Sequence, residues 1–200
     1  RQKYGIWLMN IVRNTVINMI LTAVNIKQLT YSKLRKWFLK NTCFGIQLEY
    51  TRSGQVVTTT WFSQIDYGVE ALINRFLQGK PTDWRLPVDI LSIRFEGILR
   101  DMVGDYGGCV TKVGRDNSIS QALLDDLLRE PCLLQIFRKE DIEFFEYVFT
   151  AKGYNIRNYV AHAFYIPQDY GMIEATLVFL CILRLTMFSP KSKTITANMK

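Results

Sequence analysis

Two hundred residues with 48% hydrophobic and 13% aromatic content can bury the core of one domain, alone or with a helical extension, and are too apolar for a disordered chain. The 25 Lys and Arg against 18 Asp and Glu give a formal charge of +7, a balance that suits polyanions such as RNA, DNA or anionic lipid. Scattered Cys43, Cys109, Cys132 and Cys181 form no C-x-x-C pair and the only histidine is His162, which excludes a zinc site of ordinary spacing and predicts reduced thiols in a cytoplasmic protein.

The opening on Arg1 and the polar close at 189–200 read as part of something longer. Ile6, Met9, Val12, Val16, Ile20 and Val24 recur at helical spacing and predict a long first helix. Asn10, Arg13, Asn14 and Asn18 interrupt its apolar run, which suits an amphipathic helix rather than a signal sequence. Thr30 or Ser32 can cap a short basic helix through Leu39 that carries Lys33, Arg35, Lys36 and Lys40 beside Trp37 and Phe38. Mixed basic and aromatic residues fit an RNA-contacting face; a solvated helix with two buried aromatics is the plainer reading.

Alternation over 46–50, a turn at Ser53 and Gly54, and β-branched residues over 56–61 predict one hairpin. Helix follows over 64–77, stopped by Gly79 and Pro81. Pro87 opens the next, with Ile90, Ile93, Ile98, Leu99 and Met102 inward and Gly104, Gly107 and Gly108 at its end. A polar loop runs to Asn117, and Ser118 or Ser120 caps a helix to Leu128. Residues 139–152 form an amphipathic helix with Ile142, Phe145, Val148 and Phe149 inward, and its Glu140, Asp141, Glu143 and Glu146 go to the surface, as do Asp125 and Asp126. Gly153 ends it, Asn155 caps a helix that Pro167 breaks, and Asp169 caps a buried apolar helix over 172–188. Lys191, Lys193 and Lys200 make a basic, solvated tail. The sum is a mostly α bundle with a small β-hairpin at about 46–61, divided into an N-terminal helical extension (1–85) and a helical bundle (86–200).

Catalytic loops are few. The sequence contains no P-loop, no G-x-G-x-x-G and no G-x-S-x-G. Attention therefore falls on the one imidazole. Arg157 and Asn158 precede His162 by five and four positions, and positions four apart share a helix face. Arg157 stands near the predicted helix start, where free N–H groups favour a phosphate. An imidazole of ordinary pKa, ~6.5, both takes and gives a proton near neutrality. Arginine offers a planar fork to phosphate oxygens. A base for the ribose 2′-OH and a cation for the charge on phosphorus suffice to cut RNA, without a cofactor or metal. The opposing reading is a lone histidine hydrogen-bonded in a core.

The stretch Asn155-Ile156-Arg157-Asn158-Tyr159-Val160-Ala161-His162 resembles the Arg-x4–6-His signature of the HEPN (higher eukaryotes and prokaryotes nucleotide-binding) superfamily. It is similar to a mainly bacterial branch in which the His is followed by Gly, whereas Ala163 follows here. Phe95-Glu96-Gly97-Ile98-Leu99-Arg100 resembles an upstream E-x-x-L-R helix of that branch, so the likeness spans about 89–188. The resemblance implies a HEPN-like bundle of four or five helices that pairs into a homodimer and brings two Arg/His motifs to one cleft. It implies a metal-independent endoribonuclease, of a class that includes toxins and antiphage effectors, leaving a 2′,3′-cyclic phosphate and a 5′-hydroxyl. His162 would be the general base or acid, Arg157 the ligand of the scissile phosphate, and Asn158 the residue orienting one of them. Glu96 and Arg100, four apart on a helix, would brace Arg157 or form a surface salt bridge. Tyr165 would touch the nucleotide, be a modification target, or pack. Expected partners are RNA, a second copy, and a regulatory protein or larger polypeptide, with no membrane. The alternatives are a non-catalytic RNA-binding or regulatory module of the same family, and a helical interaction domain unrelated to nucleic acid.

Overall fold

The computed structural model describes residues 2–52, 55–78, 83–114, 116–190 and 195–197. The Ser53–Gly54 turn, the Gly79 and Pro81 stop, and the Lys191, Lys193 and Lys200 tail lie outside them. The chain is mostly helical.

The first helix runs as α1 (Gln2–Ile11), a π-helical turn (Val12–Val16) and α2 (Ile17–Asn25). The Ile17 amide reaches back to the Val12 carbonyl, and this wider turn inserts one residue into the helical period. The buried series therefore steps from Leu8 and Val12 to Ile17 and Val24. Ile6, expected inward, is 61% exposed, and Trp7 and Met19 lie on the open side with it. By length and composition alone, the stretch Gly5–Asn25 is long and apolar enough to cross a bilayer, and in an apolar 18-residue window of it 17% is buried. Its buried face packs against later helices of the bundle.

Thr30 caps α3 (Tyr31–Asn41), its side chain accepting from the Lys33 amide at 3.3 Å. The hairpin forms as β1 (Gln47–Arg52) and β2 (Gln55–Thr60), antiparallel, with Gln47 opposite Thr60. Trp61 belongs to the following helix, not to the strand. α4 (Trp61–Gln78) starts there because Thr60 caps it, its Oγ1 accepting from the Ser63 amide at 3.2 Å while Ser63 Oγ accepts from the Thr60 amide at 3.3 Å. The fully buried Trp61 indole is then held by Asp101, Nε1 donating at 2.9 Å.

α5 (Arg85–Asp105) is the central helix, packed on α4 and on several elements described below. Gly68 lets α4 approach it: a Cβ there would come within 2.9 Å of Leu91 Cδ2. Ile98, Leu99 and Met102 are buried as predicted, whereas Ile93 is 41% exposed. After the turn at Gly107 (φ +75°), the polar loop contains a second hairpin, β3 (Thr111–Val113) and β4 (Ile119–Gln121). The helix expected from Ser118 is reduced to α6 (Leu124–Leu127), because β4 takes the residues that would have opened it.

A 3₁₀ turn (Pro131–Gln135) leads to α7 (Lys139–Phe149). Then come α8 (Ile156–Ala161), a 3₁₀ turn at Pro167–Asp169, and α9 (Met172–Leu185). α8 stops well before Pro167, and Gly171 rather than Asp169 stands at the α9 N-cap. Asp169 instead accepts from the Ile166 amide at 2.9 Å. The same device recurs twice: Asp126 accepts from the Leu123 amide at 3.1 Å and Asp141 from the Arg138 amide at 3.2 Å. In each case a carboxylate three residues in ties down an amide that the helical turn leaves unbonded.

β5 (Ile195–Ala197) pairs in parallel with β1, making a three-stranded sheet in the order β2-β1-β5. One hydrophobic core runs from Leu8 to Phe188, through residues both before and after position 85. Beneath α8 its centre is Phe95, stacked on Phe149 at 4.3 Å and edge-on to Phe145 at 5.0 Å. Asp141, assigned to the surface by its neighbours, is 8% exposed and ion-paired with Arg184 of α9.

Candidate active site: an arginine clamp beside an exposed histidine

α8 packs on α5 and α7 and positions the Arg157–His162 segment. Its start is set by Gly153, whose Cβ position lies 2.1 Å from the Tyr147 carbonyl oxygen, and by the Tyr154 amide bonding that oxygen at 2.8 Å. Asn155 is not a side-chain cap as expected: it is left-handed (φ 56°), and its Oδ1 accepts from Asn158 Nδ2 at 2.8 Å. With six residues, α8 aligns few peptide dipoles at the N-terminus where a phosphate was expected.

Arg157 turns toward α5. Its Nε lies 2.5 Å from Glu96 Oε2, while Arg100 Nη2 lies 2.6 Å from Glu96 Oε1. One carboxylate thus bridges two guanidiniums, one oxygen to each. Arg157 Nε and Glu96 Oε2 are close without an aligned hydrogen bond, so their contact is an ion pair rather than a directed bond. Arg100 Nη2 also donates to the Ala122 carbonyl at 2.8 Å, which ties the group to the end of β4. Glu96 is 6% exposed, so the surface salt-bridge reading of Glu96 and Arg100 gives way to a part-buried cluster with a net charge of one. Arg157 Nη1 donates to Asn158 Oδ1 at 3.1 Å. The Asn158 side chain therefore bonds Arg157, and His162 meets Asn158 only through the backbone, its amide donating to the Asn158 carbonyl at 3.0 Å. Among the described residues Arg157 Nη2 has no hydrogen-bond partner and remains the donor able to meet an anion.

His162 sits at the C-terminal end of α8, exposed, with no hydrogen bond to its ring nitrogens among the described residues. It is thus not the core histidine of the opposing reading. The helix closes there in a Schellman turn, with the Ala163 amide bonding the Val160 carbonyl at 3.1 Å and the Phe164 amide that of Tyr159 at 2.8 Å. Ala163 is left-handed (φ 55°), the position where glycine is the usual occupant. Nothing joins Arg157 directly to His162: the clamp faces α5 and the imidazole faces solvent.

Tyr165 is half-buried between Tyr159 and Tyr170, with ring centroids 5.5 and 5.1 Å away. Burial pushes its phenol up, helped by the carboxylates of Glu174 and Asp169. Tyr170 is pushed up to about 12 by burial and by its hydrogen bond with Asp89. Burial likewise raises the carboxyls of Asp89 and Glu174. Asp89, Glu174, Tyr170 and the exposed Phe164 were not among the expected site residues. Asp89 had a signal, standing seven residues before Glu96 and so on the same face of α5; Phe164 had none.

The basic set of α3 is elsewhere. That helix packs on α4, where Arg35 Nε lies 3.8 Å from Asp66 Oδ2. Lys33 donates to the Lys27 carbonyl at 2.9 Å, and Lys36 and Lys40 are exposed. Phe38 is fully buried but Trp37 is 39% exposed, so only one of the two aromatics joins the core. Cys43, Cys132 and Cys181 are buried thiols and Cys109 is an exposed one. Among the described residues no three His, Cys, Asp or Glu side chains converge as metal ligands.

No protein-family model matches this chain, and comparison with curated proteins and with solved structures finds no match.

Proposed function

We propose that the chain is a metal-independent endoribonuclease of the HEPN type, acting as a homodimer. The observation that carries this reading is the clamp on Arg157. A buried carboxylate and an amide hold the guanidinium, Nη2 is left for an anion, and an exposed imidazole follows at the end of the same short helix. A cation fixed before the reaction needs no rearrangement as charge develops on phosphorus. In this reaction the His162 imidazole takes the proton of the ribose 2′-OH. That oxygen bonds to phosphorus, the P–O5′ bond breaks, and the leaving oxygen receives a proton from the protonated imidazole of a second copy. The products are a 2′,3′-cyclic phosphate and a 5′-hydroxyl. The second copy supplies the acid because each chain has one histidine.

The test is cleavage of single-stranded RNA in EDTA by the wild type, His162→Ala and Arg157→Ala, with end-group analysis of the products. Wild-type cutting to cyclic phosphate ends, lost in both variants, is expected. Undiminished cutting by His162→Ala would end the proposal.

One observation favours a second reading, a non-catalytic RNA-binding module. Glu96 neutralises Arg157, and no contact joins that arginine to His162. Salt-sensitive RNA binding without any cleavage selects this reading.

A further inference from the structure

We infer that Phe164, Tyr159 and the His162 ring form a stacking ledge for a base of single-stranded RNA, at the end of the short helix that carries the clamped Arg157. This rests on the RNA reading above and adds the residues that select an unpaired strand.

The rings are open and contiguous. Phe164 is 68% exposed, Tyr159 is 39% exposed, and His162 is exposed between them in sequence. The imidazole lies 5.7 Å from the Phe164 ring at an interplanar angle of 31°, and Tyr159 meets Phe164 at 6.4 Å and 66°. Exposed apolar residues scattered singly need no explanation, but a connected group does.

The ledge is also held in place. The two Schellman hydrogen bonds fix the backbone from Tyr159 to Phe164. Behind it, Tyr159 leans on half-buried Tyr165, at 5.5 Å and 33°, and Tyr165 on Tyr170. A Schellman turn commonly brings an apolar contact between these same two positions, yet that contact leaves most of Phe164 in water. Burying such a side chain is worth about 1.5–3 kcal/mol, so the fold forgoes that gain here.

What suits the ledge is a flat, weakly polar group attached to an anion. Rigid aromatic faces take any unpaired base, since every base has a π-face, and the same short helix carries the Arg157 guanidinium as a cation for a phosphate of the strand. A duplex offers no such face, because its bases are already stacked on one another. The net charge of +7 favours the same ligand.

The experiment measures fluorescence anisotropy with a labelled short 2′-O-methyl oligoadenylate, which cannot be cleaved, and with an abasic strand of the same length. Wild type is expected to bind the base-bearing strand about tenfold tighter, the scale of one stacked base. Phe164→Leu keeps the apolar bulk and should bring the two affinities together, whereas Phe164→Tyr should preserve the ratio. Equal binding of both strands by the wild type overturns the ledge and leaves the RNA reading standing. So does a Phe164→Leu variant that keeps the full ratio. Failure to bind either strand removes both. If Phe164→Leu instead dissociates a dimer in light scattering and leaves the ratio intact, the surface is a contact between copies and the ledge is refuted.

Discussion

Glu96→Gln removes one charge from a group of three and keeps its shape. The Glu96 side chain is 9% exposed, that of Arg157 18% and that of Arg100 22%. With unit charges roughly 4 Å apart at an effective dielectric of about 20, each pair is attractive by about 4 kcal/mol. Burying the carboxylate away from water offsets several kcal/mol of the two pairs together. Neutralising it reverses the balance, because two guanidiniums then share a part-buried site without a counter-charge. The expected loss is about 3–5 kcal/mol, which for a chain of this size lowers Tm by roughly 10 °C. Urea and thermal unfolding measure it directly. Arg157→Gln in the Glu96→Gln background should recover at least about 1 kcal/mol, since it removes the uncompensated charge. If Glu96→Gln unfolds within about 1 kcal/mol of the wild type, or if the two substitutions simply add, the carboxylate is not what holds Arg157 and the clamp reasoning fails.

Three further outcomes follow from the same region and its supports. Ala163→Gly should stabilise the fold by about 0.5–1 kcal/mol, because a left-handed alanine costs about 1–2 kcal/mol and the extra freedom of unfolded glycine returns about 0.4–1 of it; a loss of stability in urea unfolding would contradict the strained turn. Gly153→Ala should cost about 2–3 kcal/mol by overpacking, since the Tyr147 carbonyl it would strike is pinned by the Tyr154 amide, and a silent substitution would show that this approach is not tight. Asp101 supplies a pH test: burial raises its carboxyl, against the hydrogen bonds from Trp61 and Tyr50 and the charge of Arg100. An acid with a raised folded pKa holds its proton in the folded state first, so its contribution to stability grows as pH falls from that value toward about 4. Stability of the wild type relative to Asp101→Asn should therefore rise on acidification from about pH 7 to about pH 4, and a difference independent of pH would remove the burial argument.

The elements that could be read from the sequence are those whose signal is local. The long helices declare themselves by period, and β1–β2 by alternation followed by β-branched residues. Where pairing partners are distant, the signal is missing. β3 and β4 are three residues each and wholly exposed, so no alternation marks them. β5 exists as a strand because β1 accepts it from nearly 150 residues away along the chain. The π-helical turn moves burial from Val16 to Ile17, which no fixed period can anticipate. Asp141 looked like a surface acid among acids, and only the fold brings Arg184 to it.

The site shows the same division between local and distant information, and with a chemical consequence. Spacing identified Arg157 and Asn158, and the family resemblance offered Glu96 and Arg100 as a brace or a surface salt bridge; it is the packing of α8 on α5 that sets the four in contact. Spacing also placed His162 on a continuing helix, whereas a Schellman turn at Ala163 ends α8 and carries the imidazole to the surface. A buried ion cluster is a poor device for stability alone, since well-packed apolar side chains of the same volume are often as good or better. What two part-buried guanidiniums on one carboxylate do provide is a fixed position for Arg157, held by Glu96 and Asn158 with Nη2 unbonded among the described residues. On the nuclease reading this separates the tasks. α5 and α8 immobilise the cation, the turn at 162–164 presents the proton carrier, and a second copy of the chain closes the distance that a single chain leaves between them. That division predicts a dependence on concentration: below the dissociation constant of the homodimer, activity per chain should fall with dilution while RNA binding by the clamp persists, and activity per chain unchanged by dilution into the monomer range would refute a shared site.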